Sequence, residues 1–141
     1  MAEFDRMASL SILTRAMPTT TKDLADSAIP LLGHIDVLKN RTGLVMLPYT
    51  DSAEGVAFHL GEVLVAEAHI RTENGVEGYG MVIGRDVVLA MAIAVLDACM
   101  SSGLMTDEIS AFVQQEQKRL TDEDTELLRK VQATRVEMET F

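Results

Sequence analysis

The sequence predicts an α+β protein, an antiparallel β-meander of about four strands with helices packed on one face. Three observations lead there. Asn74-Gly75 separates two runs of alternating polarity, VLVAEAHIRT and VEGYGMVI, which is the strongest short hairpin signal a sequence offers. The run Val87–Met100 (VVLAMAIAVLDACM) is apolar nearly all round, as a buried central helix must be. Helix-period patterns flank the β-rich middle on both sides.

Residues 4–16 have a loose helical pattern that Met17-Pro18 ends, because the residue before proline is pushed out of the α region. Thr19, Thr20 and Thr21 offer hydroxyls to cap a short second helix, KDLADSAI, stopped near Pro30. Residues 33–39 fit either a strand or a connector, and Asn40-Arg41 reads as a turn. TGLVMLPY (42–49) is a strand whose proline places its end at an edge or terminus. Asp51–Gly55 is a loop, and VAFHL (56–60) is another short strand.

A two-residue turn at Asn74-Gly75 sets Ile70 against Tyr79, Ala68 against Met81 and Ala66 against Ile83, on an apolar core face. The other face then carries Val65, Glu67, His69 and Arg71, opposite Gly84, Val82, Gly80 and Gly78. Glycine weakens a strand interior, so these glycines mark either a bulge or twist, or another backbone or ligand lying close. The second reading makes Gly78 and Gly80 a partner face, a groove beside Glu67, His69 and Arg71.

Asp86 is placed to cap the central helix, and Ser101-Ser102-Gly103 punctuates its end. Thr106-Asp107-Glu108 opens the next helix, with a stripe of Ile109, Phe112, Val113 and Leu120. Thr121 with Asp124 resembles a capping box that starts a last helix through Leu127, Leu128, Val131 and Met138. The division is a helical part over 1–40, a β-meander over 42–86 and helices over 87–141, within one domain of 141 residues.

The net charge of −10 is spread along the chain, and no basic stripe exists to neutralise phosphates. Nucleic acid is therefore not an expected partner. No apolar run reaches the roughly 18–20 residues of a membrane span. The lone Cys99 allows no internal disulfide, and the N-terminus lacks a secretory pattern, so a cytoplasmic protein is expected. No metal site, cofactor motif or catalytic constellation is expected, because P-loop, GxSxG, CxxC, HExxH and GxGxxG patterns are all missing. His34, His59, His69 and Cys99 lack ligand spacing. His69 beside Glu67 fits an acid–base pair or, more simply, a solvated strand face. Gly84-Arg85-Asp86 joins a strand to a helix N-terminus. It reads either as an anion or partner contact or as a plain corner in which Asp86 caps and Arg85 makes a salt bridge.

TGLVMLPY, FHLGEVLVAEAHIRTENGVEGYGMVIGRD, AIAVLDACM and ATRVEMETF, in that order and spacing, resemble the PhnG subunit family of the phosphonate carbon–phosphorus lyase system. The LGE…GYxxVxGRD combination with a downstream LDA carries most of the likeness. The resemblance implies an accessory subunit working with PhnH-, PhnI- and PhnJ-type subunits; in isolation the glycine-lined face is open to three arrangements, cover by a second copy in a homodimer, cover by one of the chain's own helices, or no cover. Such a complex attaches methylphosphonate to the ribose of ATP, displacing adenine and giving α-D-ribose 1-methylphosphonate 5-triphosphate. A separate radical subunit then cleaves the C–P bond. Two other classes stand beside this reading: an independent small-molecule or anion-binding regulatory domain using Gly84–Asp86, and a hydrolase built on His69 and Glu67.

Overall fold

The computed structural model describes residues 3–50 and 57–139; the expected Asp51–Gly55 loop lies outside the described residues. Two helices, α1 (Glu3–Leu13) and α2 (Pro18–Leu32), precede three strands, β1 (Ile35–Thr50), β2 (Ala57–Thr72) and β3 (Glu77–Ile83). Helices α3 (Val87–Ser102) and α4 (Thr106–Glu139) follow. The sheet is antiparallel in the order β1-β2-β3. The α+β class holds, with three strands among the described residues where about four were expected. Residues 57–60 of the expected short strand and the run after them are one strand passing through Gly61, where φ is +154° and the β1 register shifts between Leu47 and Pro48. Glycine accommodates that irregularity, so the chain need not turn.

Other boundaries move for equally local reasons. Pro18 begins α2 rather than merely ending α1, since the first helical position needs no N–H. Pro30 lies inside the last turn of α2, and Gly33 (φ +72°) follows the helix. Asn40 and Arg41 are not a turn. They pair with Ala68 and Glu67 in β1, an edge strand where polar residues stay exposed. Thr121 starts no new helix, because nothing between Leu120 and Thr125 breaks the ladder, and α4 runs on unbroken for 34 residues.

The hairpin register differs from the expectation by one residue. Gly75 N–H donates to the Thr72 carbonyl at 2.9 Å, and Thr72 N–H to the Val76 carbonyl at 2.8 Å. The loop is therefore Glu73-Asn74-Gly75, with only Gly75 at positive φ (+83°). This is the three-residue hairpin with glycine in the left-handed position. Ala68 now faces Gly80, Ile70 faces Gly78 and Ala66 faces Val82. A one-residue slip exchanges the faces of a strand. Ala66, Ala68 and Ile70 are buried as expected, but Tyr79, Met81 and Ile83 turn outward.

The glycine face is covered by α3. A Cβ at Gly78 would collide with the Ala94 carbonyl oxygen, and one at Gly80 with the Ala90 carbonyl oxygen. The expectation that Gly78 and Gly80 line a groove for a partner is thus corrected: the close backbone belongs to this chain's own helix. Helix α3 is the centre of the molecule, lying on β2 and β3 on one side and meeting α1, α2 and α4 on the others. Asp86 caps it, accepting from Leu89 N–H at 2.9 Å. At its other end Gly103 is left-handed, with Leu104 N–H reaching Cys99 O and Gly103 N–H reaching Met100 O, a Schellman closure.

Asp97, on α3, is fully buried. Its carboxylate takes two hydrogen bonds from Arg6 of α1, Nε at 2.7 Å and Nη2 at 2.8 Å, and one from the Tyr79 backbone N–H at 2.9 Å. One side chain thereby joins α1, α3 and β3.

Two stability measurements check this packing. Gly80→Val should lower the free energy of unfolding by about 3 kcal/mol or more, above the ordinary overpacking cost because the obstacle is helix backbone. Wild-type stability in urea unfolding would refute the close approach. Asp97→Ala should cost about 1–3 kcal/mol, since it leaves the Tyr79 N–H without its acceptor while the half-exposed Arg6 returns to water; a loss within experimental error would show that the carboxylate does not tie the elements together.

Candidate functional site

The slip that buries the glycines gathers a polar and apolar surface on the opposite side of the sheet. Glu67 and His69 of β2 point there, and cross-strand pairing sets Arg41 beside Glu67, Lys39 beside His69 and Tyr79 beside His69. Arg41 Nε donates to Glu67 Oε1 at 2.7 Å, and the Tyr79 hydroxyl donates to Glu67 Oε2 at 2.6 Å. Both carboxylate oxygens of Glu67 are engaged. The Tyr79 hydroxyl and then Arg41 hold the Glu67 carboxyl below its usual range. The same hydrogen bond, with partial burial, pushes the Tyr79 phenol up to about 12. Glu67 is thus held as an anion and Tyr79 as a neutral phenol, and neither is poised to exchange a proton near neutral pH.

The His69 ring stands edge-on to Tyr79 with centroids 6.2 Å apart, and its Nε2 lies 3.6 Å from Glu77 Oε1. Glu77 also accepts from Arg71 Nη2 at 3.0 Å. His69 thus has the Glu77 carboxylate beside it, and Glu67 is committed to Tyr79 and Arg41. Beside this network Tyr79, Met81 and Ile83 are exposed in a row along β3, Ile83 to 83%. The sequence reading missed Tyr79, Met81 and Ile83 as surface residues because it placed them in the core.

Gly84, Arg85 and Asp86 lie apart from this face, at the corner between β3 and α3. Gly84 (φ +111°) makes the turn, and its N–H donates to the Leu64 carbonyl at 2.9 Å. Arg85 is exposed. The Asp86 carboxylate pairs with Lys22 of α2 at 2.8 Å while it caps α3, and those two bonds, the Lys22 one first, lower its pKa. The helix N-terminus is thus already met by a carboxylate of this chain. Among the described residues, no three His, Cys, Asp or Glu side chains come together as metal ligands would. Cys99 is buried, which pushes its thiol pKa up and away from reactivity. Among the described residues, no helix is long and apolar enough to cross a membrane.

A family model described as "Phosphonate metabolism protein PhnG" matches residues 4–141. The chain is also similar to the "Alpha-D-ribose 1-methylphosphonate 5-triphosphate synthase subunit PhnG" of Rhizobium meliloti (strain 1021). The two are 34% identical over 100 residues, covering 71% of this chain and 64% of that relative. The match therefore spans less than two thirds of the relative's length.

The Tyr79–Glu67 bond has a spectroscopic signature. The phenol's raised pKa favours the folded state below pH 10, and that contribution is lost as the pH climbs from 10 through about 12. In an alkaline titration of tyrosinate absorbance, the component removed by Tyr79→Phe should have its midpoint near 12. Glu67→Gln should bring it down towards 10. A wild-type midpoint at the ordinary tyrosine value would show that the bond is not made.

Proposed function

This chain belongs to the PhnG family of phosphonate metabolism proteins, and on that premise we propose that it is a subunit of an α-D-ribose 1-methylphosphonate 5-triphosphate synthase. In this reading it assembles with PhnH-, PhnI- and PhnJ-type subunits and supports the transfer of methylphosphonate to the ribose of ATP. Its part is to bind and position other subunits.

The observation that carries the reading is the open sheet face. A sheet buries one face on its own helices, and a second face with exposed Tyr79, Met81 and Ile83 in line gains most from being covered. The Arg41–Glu67–Tyr79 bonds hold the phenol in place beside Met81 and Ile83, so little ordering remains to be done on binding. Glu67, His69 and Arg71, singled out from the sequence, form the polar border of this surface in the proposed assembly. The anion-binding alternative at Gly84–Asp86 has less support, because Asp86 puts its own negative charge at the helix N-terminus and Lys22 is engaged with it.

Co-expression with PhnH-, PhnI- and PhnJ-type subunits followed by affinity capture tests this. The wild-type chain should be recovered in a complex. The double variant Met81→Asp, Ile83→Asp should keep the wild-type melting temperature within a few degrees, because both positions are exposed, and should lose at least tenfold in recovered complex. Undiminished recovery would remove the sheet face as the docking surface. No recovery of the wild type with any of the three would remove the subunit reading itself.

A further inference from the structure

Helix α4 is longer than the body it packs on. Its first half buries Ile109, Val113 and Leu120. Leu127 and Val131 follow Leu120 by seven and eleven residues and so continue the same face. There they are 61% and 57% exposed, and Leu128 beside them is 61% exposed. Every residue from Thr121 to Thr134 is exposed. The apolar stripe therefore runs on for several turns past its last intramolecular cover.

The charges along this projecting segment are sorted. Asp122, Glu123, Asp124 and Glu126 precede Leu127 with no base among them, and Arg129 and Lys130 follow it with no acid before Val131. Glu123 and Lys130, seven residues apart, share one flank of the stripe. Within the chain these charges make only exposed helix-surface or long contacts: Glu123 with Arg119, Asp124 with Arg15 at 3.5 Å, and Lys130 with Glu126 at 3.9 Å. Two such segments laid parallel would set acid against acid. Laid antiparallel and crossing near Leu127, the Glu123 of each segment meets the other's Lys130.

We propose that the distal half of α4 docks on the same segment of a second copy of this chain, antiparallel, about a twofold axis near Leu127. The twofold makes the contact self-complementary: Leu127 packs near its own symmetry mate, and Glu123 of each copy comes opposite Lys130 of the other. Leu128 and Val131 widen the apolar seam. A seam on α4 leaves the open sheet face free, so this pairing stands or falls separately from the subunit assembly above.

Analytical ultracentrifugation of the full chain at micromolar concentration should give twice the 15.4 kDa of one chain. Leu127→Asp with Val131→Asp should give the single mass with unchanged helical circular dichroism. Charge reversal tests the direction. Lys130→Glu alone and Glu123→Lys alone each set like charges across the seam. Mixing the two variants restores both pairs, so the mixed dimer should be about fivefold tighter than either variant alone. A monomeric wild type overturns the proposal, as does a dimer indifferent to Asp at 127 and 131. Mixing that gives no gain overturns the antiparallel arrangement. A chain that stays monomeric alone, yet has its stripe protected from hydrogen exchange when a PhnI-type subunit is added, overturns it in favour of another subunit as the occupant.

Discussion

The close approach of α3 to β3 is the constraint on which the other features rest. Gly78 and Gly80 present no Cβ, and Ala90, Ala94 and Ala98 recur every four residues along the facing stripe of the helix. Helix backbone therefore lies against strand backbone with no side-chain layer between them. Such contact gains dispersion energy over many short separations, and it tolerates no added atom. It also brings Asp97 within reach of a strand N–H. β3 is an edge strand, and the Tyr79 N–H is on its unpaired side. The buried carboxylate accepts that N–H, so a side chain of the core helix does for the edge what another strand would otherwise do.

That arrangement places a buried negative charge, which must be matched. Arg6 matches it with a two-pronged contact, and in doing so fastens α1 to the rest of the fold. The pair is not a gain to be counted against a hydrophobic alternative, because burying the Asp97 carboxylate costs much of what its attraction to the half-exposed Arg6 returns. Its effect is on specificity. α1 can dock in one place, where its guanidinium meets the carboxylate, and α4 then packs on α1. Elsewhere in the interior polar groups are also paired: among the described residues no buried side-chain nitrogen or oxygen lacks a hydrogen-bond partner.

Much of this was legible in the sequence, and the failures share a cause. Asp86 as a cap, the run from Val87 as the central helix and Pro48 in an edge strand all follow from local chemistry, and all are found. The hairpin itself was equally plain. Its register was not, because Asn-Gly serves two loops: both central residues at positive φ in the two-residue turn, or glycine alone in the three-residue one. Local propensity does not separate them, and one residue decides which face of β3 is core. A tertiary signal was available. Glycines at 78 and 80 match an alanine-rich helix in a way that Tyr79 and Met81 cannot, and that match selects the observed register. Pro30 within a helix and the unbroken α4 likewise depend on packing rather than on the breaker residues that local reading weighs most.

The candidate surface is the other half of the same choice. When glycines go inward, the intervening residues must go outward, because strand side chains alternate. Tyr79, Met81 and Ile83 are thus at the surface as a consequence of how the core is made. Evolution could have made those positions polar without touching α3, and a solvated sheet face would have followed. Instead they are large and apolar, and Tyr79 is fixed by Glu67, which Arg41 fixes in turn. Immobilising an exposed phenol through two hydrogen bonds costs rotamer freedom in the free chain and does nothing for a core it does not touch. The cost is recovered when that ring is met by a partner, since the ordering has already been done. The alternation of the strand, the glycines beneath it and the bonded phenol above it are therefore one design, with α3 on one side of the sheet and a pre-ordered apolar row on the other.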